Sequence, residues 1–149
     1  MRGSGRLAPT PRRARGPAEL SGAQQLRLRV FVEEQGVSPD AEIDGLDDEA
    51  IQLVAMNRGK VVGTCRLRIV GGEGKLERMA VAQDFRRIGL GRRLIEATET
   101  EARREGAGRM VLHSQVAARD FYEAAGYAAT SEDVFLEDGI EHVKMGKAL

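Results

Sequence analysis

The sequence is short of several residues that mark familiar classes of protein. It contains one cysteine, Cys65, and no tryptophan among 149 residues. A single cysteine excludes an internal disulfide bond and is typical of a reducing compartment, so we expect a cytoplasmic protein. No uninterrupted apolar run exceeds four residues, as in Leu53–Met56. Because a membrane-spanning helix needs about 20 such residues, the sequence predicts neither a transmembrane span nor a signal-peptide core.

Net charge is absent as well. Lys and Arg together number 23, and so do Asp and Glu, which argues against a chain built to bind nucleic acid or a membrane. The charges are nevertheless segregated, since residues 1–16 hold five arginines and no acid, whereas residues 33–49 hold eight acids and no base. The first segment has few apolar residues to bury, so we predict a disordered tail over 1–16, with a short strand at most near residues 12–14.

The acidic segment allows two interpretations. Its carboxylates attract a cationic acceptor, or they form a solvated loop in which they cap helices and pair with arginines. The residues concerned are Glu33, Glu34, Asp44 and Asp47. The sequence alone leaves both interpretations open.

The spacing of apolar residues from residue 17 onward predicts one domain, 17–149, that mixes strands and helices. The predicted elements are helices over 17–34, 89–105 and 116–126, and strands over 51–57, 61–70, 75–81, 109–115, 127–137 and 142–148. This order indicates an α/β fold with a mixed sheet. Because side chains alternate along a strand, we expect Glu77, Met79 and Val81 to share one face.

A glycine-containing segment lies between the third predicted strand and the next helix. Residues 86–91 read "RRIGLG", the pattern R-x-x-G-x-G. Glycine lets a ligand approach the backbone, and the unpaired N–H groups at a helix start attract anions. The dinucleotide pattern G-x-G-x-x-G fails because Leu94 follows Gly91 by three residues, and no Walker lysine is present. The segment therefore predicts a phosphate cradle or, alternatively, a plain helix-starting turn.

A second segment, "ARDFYEAAGY" at residues 118–127, follows the next predicted strand. Together the two segments resemble the GNAT superfamily of acyl-CoA-dependent N-acyltransferases, in its ElaA-like branch. The similarity also covers "LRVFVEEQGV" at 28–37 and "GIEHVKM" at 139–145, and it extends over about residues 12–149. It implies a fold of about six to seven mostly antiparallel strands and about four helices. In that fold the strands of Met79 and His113 splay apart to admit the acyl group.

The resemblance also implies a binding site for acetyl-CoA, with no metal ion. Backbone amides of the R-x-x-G-x-G loop face the coenzyme A pyrophosphate, arginines add charge, and the preceding strand offers main-chain groups to the pantetheine arm. The residues implied are Met79, Ala80, Val81, Arg86, Arg87, Gly89, Leu90, Gly91, Arg92 and Gln115. Gln115 departs from the asparagine of many members, so its amide either makes the same contact or misses it.

Tyr122 is the general acid that the resemblance implies, because the family places this tyrosine near the thioester sulfur. The alternative is that Tyr122 packs beside Phe121 and Tyr127, and we expect these last two to be core residues. A second proton-transfer group is also required, since an amine with a pKa near 10.4 is mostly protonated at neutral pH.

Glu77 is the candidate general base, since the predicted strand face directs it toward the cleft. The alternative is a cross-strand ion pair with Arg66 or Arg68. The two histidines, His113 and His142, are of the residue type suited to proton transfer near neutral pH, but they are expected to be structural.

These features predict an N-acetyltransferase that moves an acetyl group from acetyl-CoA to a primary amine by direct attack in a ternary complex. The expected acceptor is a small molecule or peptide, and a cationic one if the acidic segment serves to attract it. Neither nucleic acid nor membrane is an expected partner. The chain is expected to act as a monomer or homodimer. Two alternatives remain open: a non-catalytic acyl-CoA sensor and an acyltransferase with a longer acyl donor.

Overall fold

A mixed sheet with helices on both faces organises the chain, as the computed structural model shows for residues 7–149. In chain order the main elements are β1 (Arg12–Arg13), α1 (Gly16–Arg27), a π-helical continuation (Leu28–Glu34), α2 (Pro39–Glu42), β2 (Ile51–Asn57), β3 (Lys60–Val70), β4 (Glu73–Val81), α3 (Leu90–Arg104), β5 (Arg109–Gln115), α4 (Arg119–Ala124), β6 (Ala128–Glu137) and β7 (Ile140–Ala148). The described residues thus form seven strands and four α-helices, which confirms the predicted mixed fold.

The strands are ordered β1-β2-β3-β4-β5-β7-β6 across the sheet. The pair β4 and β5 is parallel, and the other neighbours are antiparallel. Among the described residues, no helix is long and apolar enough to cross a membrane.

The arginine-rich start takes part in the sheet where the structure describes it. Arg12 and Arg13 pair with Val54 and Leu53 of β2. The Arg12 guanidinium also bonds Glu19 at 2.7 Å, and Arg13 Nε bonds Glu101 Oε1 at 2.6 Å. The short strand expected near residues 12–14 is therefore present, so this part of the predicted tail is ordered. Residues 1–6 lie outside the described residues.

Two helices cover opposite faces of the sheet. On one face Leu90, Leu94 and Ile95 of α3 are buried against strand residues such as Leu67 and Met145. On the other face Leu26 and Val30, from α1 and its π-helical continuation, pack against Ala80 of β4. The predicted single helix over 17–34 thus changes geometry after Arg27, and such π-helical turns are frequent at functional sites.

The two central strands separate part-way along their length. Strands β4 and β5 pair from Glu73 with Arg109 to Lys75 with Val111. Beyond this point β4 continues to Val81 and β5 to Gln115 without pairing to each other. The expected splay is confirmed, and it leaves this edge of β4 without a strand partner among the described residues.

A β-bulge in β4 overturns one prediction about side-chain direction. Thr64 pairs with Ala80 and Arg66 pairs with Glu77, so one β3 residue lies opposite two residues of β4. The extra residue is Arg78, with φ of 56°. Because the bulge reverses the alternation, Met79 and Val81 pack on the α3 side of the sheet, whereas Ala80 packs on the α1 side. Glu77, the partner of Arg66, does not share the face of Met79 and Val81.

Candidate active site

A cleft of about 1110 Å³ opens where β4 and β5 separate. Helix α4 and the first residues of α3 border it on one side, and α2 and the β6–β7 turn border it on the other. It is lined by all twelve residues predicted for the site: Glu77, Met79, Ala80, Val81, Arg86, Arg87, Gly89, Leu90, Gly91, Arg92, Gln115 and Tyr122. The fold therefore collects these residues in one place.

The start of α3 forms the floor of one end of the cleft. Gly89 precedes the helix with φ of 86°, and no side chain caps the helix start. The first backbone hydrogen bond of the helix is donated by the N–H of Arg93 to the carbonyl of Gly89, at 3.1 Å. The backbone N–H groups of residues 87–92 donate to no backbone carbonyl within residues 7–149. The N–H groups of the preceding turn therefore lack intrahelical acceptors and carry the positive end of the helix dipole. This geometry suits an anion.

A side chain at position 91 would crowd this turn. A Cβ atom built on Gly91 would lie 3.0 Å from Cζ of Phe121. Phe121 is 39% exposed, so the expectation that it is a core residue is wrong. The ring packs beside the helix start because glycine leaves room for it.

The three arginines of the segment have different partners. Arg86 donates from Nε to the Val81 carbonyl at 2.9 Å and from Nη2 to Glu34 Oε1 at 2.7 Å. Arg92 donates to the Ala124 carbonyl at 3.1 Å. Within residues 7–149, Arg87 lines the cleft without a protein partner. Arg87 is therefore the guanidinium that is free to meet a phosphate.

Tyr122 is half-buried at the wall of the cleft. Its ring stands edge-on to Phe121 at 5.0 Å and to Tyr127 at 6.1 Å between centroids. Burial raises the pKa of Tyr122, so the phenol is protonated throughout the physiological range. Tyr127 is 3% exposed and donates to Glu99 Oε2 at 2.8 Å. The expectation that Tyr127 is a core residue is confirmed.

Glu77 is held between two arginines. Arg68 Nε lies 2.7 Å and Arg66 Nε 3.0 Å from its Oε1 atom. Burial opposes ionisation, but the hydrogen bonds and charges of Arg68 and Arg66 outweigh it and lower the pKa of Glu77. The cross-strand ion pair weighed as the alternative is thus present. A carboxylate stabilised in this way is a weaker proton acceptor.

The acidic loop is also paired. Arg66 is 1% exposed and bonds Asp44, Asp47 and Glu77. Hydrogen bonding from Arg66 lowers the pKa of Asp44. Glu34 is the partner of Arg86 at 2.7 Å. The interpretation as a loop whose acids pair with arginines therefore fits Glu34, Asp44 and Asp47.

Gln115 connects the two sides of the cleft. Its Nε2 atom donates to Gln35 Oε1 at 2.9 Å, which joins the end of β5 to the end of the π-helical segment. Its amide is therefore directed at a protein partner, and a coenzyme contact requires that this bond be given up or shared.

The sequence interpretation missed a cluster around Glu137. His113 Nδ1 lies 2.9 Å from Glu137 Oε1, and His142 Nε2 lies 3.7 Å from Glu137 Oε2. All three residues line the cleft. The signal was the Asp-Gly pair at 138–139, because a two-residue hairpin turn fixes which residues of its strands face each other. Within residues 7–149, no His, Cys, Asp and Glu side chains are grouped to hold a metal ion.

Comparison with known proteins agrees with this geometry. The profile of the acetyltransferase (GNAT) domain matches residues 19–149. The chain belongs to the GNAT acetyltransferase family. Membership explains why a helix start, a splayed strand pair and a half-buried tyrosine meet in one cleft, and it makes the protein an acyltransferase.

Individual GNAT relatives match over nearly their whole length. YjcF of Bacillus subtilis, an uncharacterized N-acetyltransferase, is 39% identical over 134 residues, which are 90% of this chain and 96% of YjcF. An acyl-CoA N-acyltransferase from Pseudomonas aeruginosa is 31% identical with a TM-score of 0.82, covering 93% of this chain and 98% of that one. Escherichia coli ElaA shares the fold at 23% identity and a TM-score of 0.81, covering 93% and 97%. The predicted resemblance to ElaA-like GNAT proteins is confirmed.

Proposed function

We propose that this GNAT protein transfers an acetyl group from acetyl-CoA to a primary amine, by direct attack in a ternary complex. The observation that carries the proposal is the single cleft that joins the uncapped start of α3 to the half-buried Tyr122. The first is suited to the pyrophosphate of the donor, and the second to its thioester. The name of the Pseudomonas aeruginosa relative supports an acyl-CoA donor for this chain as well.

The donor site follows from the free polar groups of the cleft. The first-turn amides of α3 and the guanidinium of Arg87 hold the pyrophosphate, since both offer donors that the protein leaves unused. The main chain from Met79 to Val81 binds the pantetheine arm as an additional strand, because β5 has left this edge of β4. Gly89, Leu90 and Gly91 form the backbone of the cradle, and Arg86 and Arg92 support it through their bonds to neighbouring carbonyls.

Tyr122 is the proposed proton donor to the leaving thiolate. A thiol with a pKa near 8.5 leaves more easily when a proton reaches its sulfur. A phenol whose pKa is raised by burial holds that proton until the C–S bond breaks. Positioning of the two substrates contributes much of the remaining acceleration.

The acceptor is proposed to be a small-molecule or peptide amine. A cationic acceptor gains little support from the acidic loop, since Asp44 and Asp47 are paired with Arg66. Glu137 and Asp138 at the β6–β7 turn are the acidic residues that line the acceptor end away from that loop. The buried free thiol of Cys65 fits the expectation of a cytoplasmic enzyme.

The test is thiol release from acetyl-CoA with a panel of primary amines, for the wild type and Tyr122→Phe. We expect an amine-dependent rate in the wild type and a loss of roughly 100-fold in kcat for the variant, the usual scale for a proton donor. Calorimetry should give both proteins the same Kd for coenzyme A. The matched control is Tyr127→Phe, which removes the same hydroxyl group from a tyrosine outside the cleft lining and should keep the wild-type kcat. A protein that binds coenzyme A but shows no turnover with any amine would refute the transfer function.

A further inference from the structure

Three neighbouring strands present a polar face on the acceptor side of the cleft. Val143 of β7 is buried in the core beneath α3. Because side chains alternate along a strand, His142, the neighbour of Val143, projects to the opposite face. Leu112 of β5 is buried in the same core, so His113 also projects to this face. The donor cradle and the two histidines therefore approach the splayed strands from opposite sides of the sheet.

The hydrogen bond of one ring nitrogen fixes the protonation pattern of His142. Its Nδ1 atom lies 2.7 Å from the carbonyl oxygen of Ile140. A carbonyl oxygen only accepts, so Nδ1 must carry the hydrogen. In the neutral ring Nε2 then holds a lone pair, and among the described residues its polar neighbour is Glu137 at 3.7 Å, beyond hydrogen-bond distance. The residue is 7% exposed and lines the cleft.

One carboxylate and one aromatic ring lie against His142. From β6, the Glu137 carboxylate faces Nε2, and the Phe135 ring stacks on the imidazole at 6.0 Å. From β5, His113 shares Glu137, and Gln115 is the register partner of His142. Further charged groups on this face include Lys144 of β7, opposite His113, and Asp138, which lies 4.0 Å from Arg78 of β4. Lys75 and Glu77 of β4 also lie on this face, and Arg66 and Arg68 of β3 hold Glu77.

We infer that His142 Nε2 accepts the proton of the acceptor amine and that Glu137 stabilises the imidazolium that results. This role rests on the proposed acyl transfer, and it identifies the group that takes the proton of the amine in that reaction. Glu77, the candidate from the sequence, is bound by two guanidinium groups. His142 has a free lone pair, a fixed ring and a carboxylate placed to balance the new charge.

The proton balance of the reaction is complete with these groups. The ammonium loses one proton to Nε2, and His142 passes it to solvent through the cleft that it lines. The neutral nitrogen forms the C–N bond, and the carbonyl electron pair moves to oxygen. That pair then returns and breaks the C–S bond, while the thiolate takes the Tyr122 proton. The second proton leaving the nitrogen restores the phenol.

The decisive variant is His142→Asn. An asparagine amide places an N–H near the position of Nδ1, so the bond to the Ile140 carbonyl can persist while Nε2 is lost. We expect kcat/KM at pH 7 to fall about 100-fold. The deficit should shrink as pH rises toward the pKa of the amine, near 10.4 for a lysine-like acceptor, because solvent then supplies the neutral nucleophile. Added imidazole should partly restore the rate at pH 7.

His113→Asn is the matched control, since His113 bonds the same carboxylate but is 43% exposed in its side chain. It should keep the wild-type pH profile, and both variants should keep the Kd for coenzyme A. The inference is overturned if His142→Asn follows the wild-type profile, or if Glu77→Gln alone produces the pH-dependent deficit. An unfolded His142→Asn, with no rescue by imidazole, would overturn it in favour of a structural role. Absence of turnover in the wild type would refute the transfer function itself.

Discussion

Gly89→Glu tests the donor cradle most directly. Gly89 has φ of 86° and lines the cleft, and a Cβ built there meets no heavy atom within 4 Å. Any side chain would therefore be strained by about 1–2 kcal/mol, the cost of the left-handed region, without a steric collision. Gly89→Ala carries the same strain and no charge, so it isolates the effect of the carboxylate.

The difference between the two variants can be estimated from electrostatics. Two like charges 4 Å apart repel by about 1 kcal/mol in water and about 4 kcal/mol at the effective dielectric of a protein surface. With about 1.4 kcal/mol per tenfold change, Gly89→Glu should bind coenzyme A roughly 5-fold to 1,000-fold more weakly than Gly89→Ala. Raising salt toward 1 M should reduce the gap, because the Debye length falls to about 3 Å.

Calorimetry with two ligands provides the assay. Coenzyme A contains the pyrophosphate, whereas pantetheine lacks it and shares only the arm. We expect Gly89→Glu and Gly89→Ala to differ for coenzyme A and to agree for pantetheine. Equal affinities for coenzyme A at low salt would refute the assignment of the α3 start as the pyrophosphate site.

Two further predictions concern charged groups of the cleft. Arg87→Gln should weaken coenzyme A binding more than Arg86→Gln does, because Arg86 already bonds Glu34 and the Val81 carbonyl. Calorimetry measures both affinities, and the reverse order would contradict the assignment of Arg87. The pKa of Glu77 is lower in the folded protein than in the unfolded chain, where it is about 4.3. The ionised carboxylate therefore stabilises the fold above pH of about 4.3, and this stabilisation is lost as the pH falls through the folded-state pKa. Urea unfolding of the wild type and Glu77→Gln should therefore differ at pH 7 and converge in acid, and a constant difference would contradict this linkage.

The sequence predicted the elements whose signals are local. The strands at 51–57 and 109–115 have the bounds read from their apolar patterns. The proposed cradle rests on a local signal, because glycine spacing and a helix start lie within six residues of each other. Phe121 was misplaced, since its ring packs on the start of α3 beside Gly91, and a contact between two helices has no local signal. The pairing of Asp44 with Arg66 across 22 positions of the chain likewise has no local signal.

The bulge at Arg78 accounts for the main error and also connects the two halves of the site. Without the extra residue, Glu77 would share the face of Met79 and Val81, and a base would stand beside the donor. With it, Glu77 turns toward Arg66 on the other face of the sheet. We propose that donor and acceptor meet through the splayed strands from opposite sides. On that proposal the proton acceptor is expected on the face that Glu77, Glu137 and His142 share. There Glu77 is held by Arg66 and Arg68, whereas Nε2 of His142 is left without a hydrogen bond among the described residues.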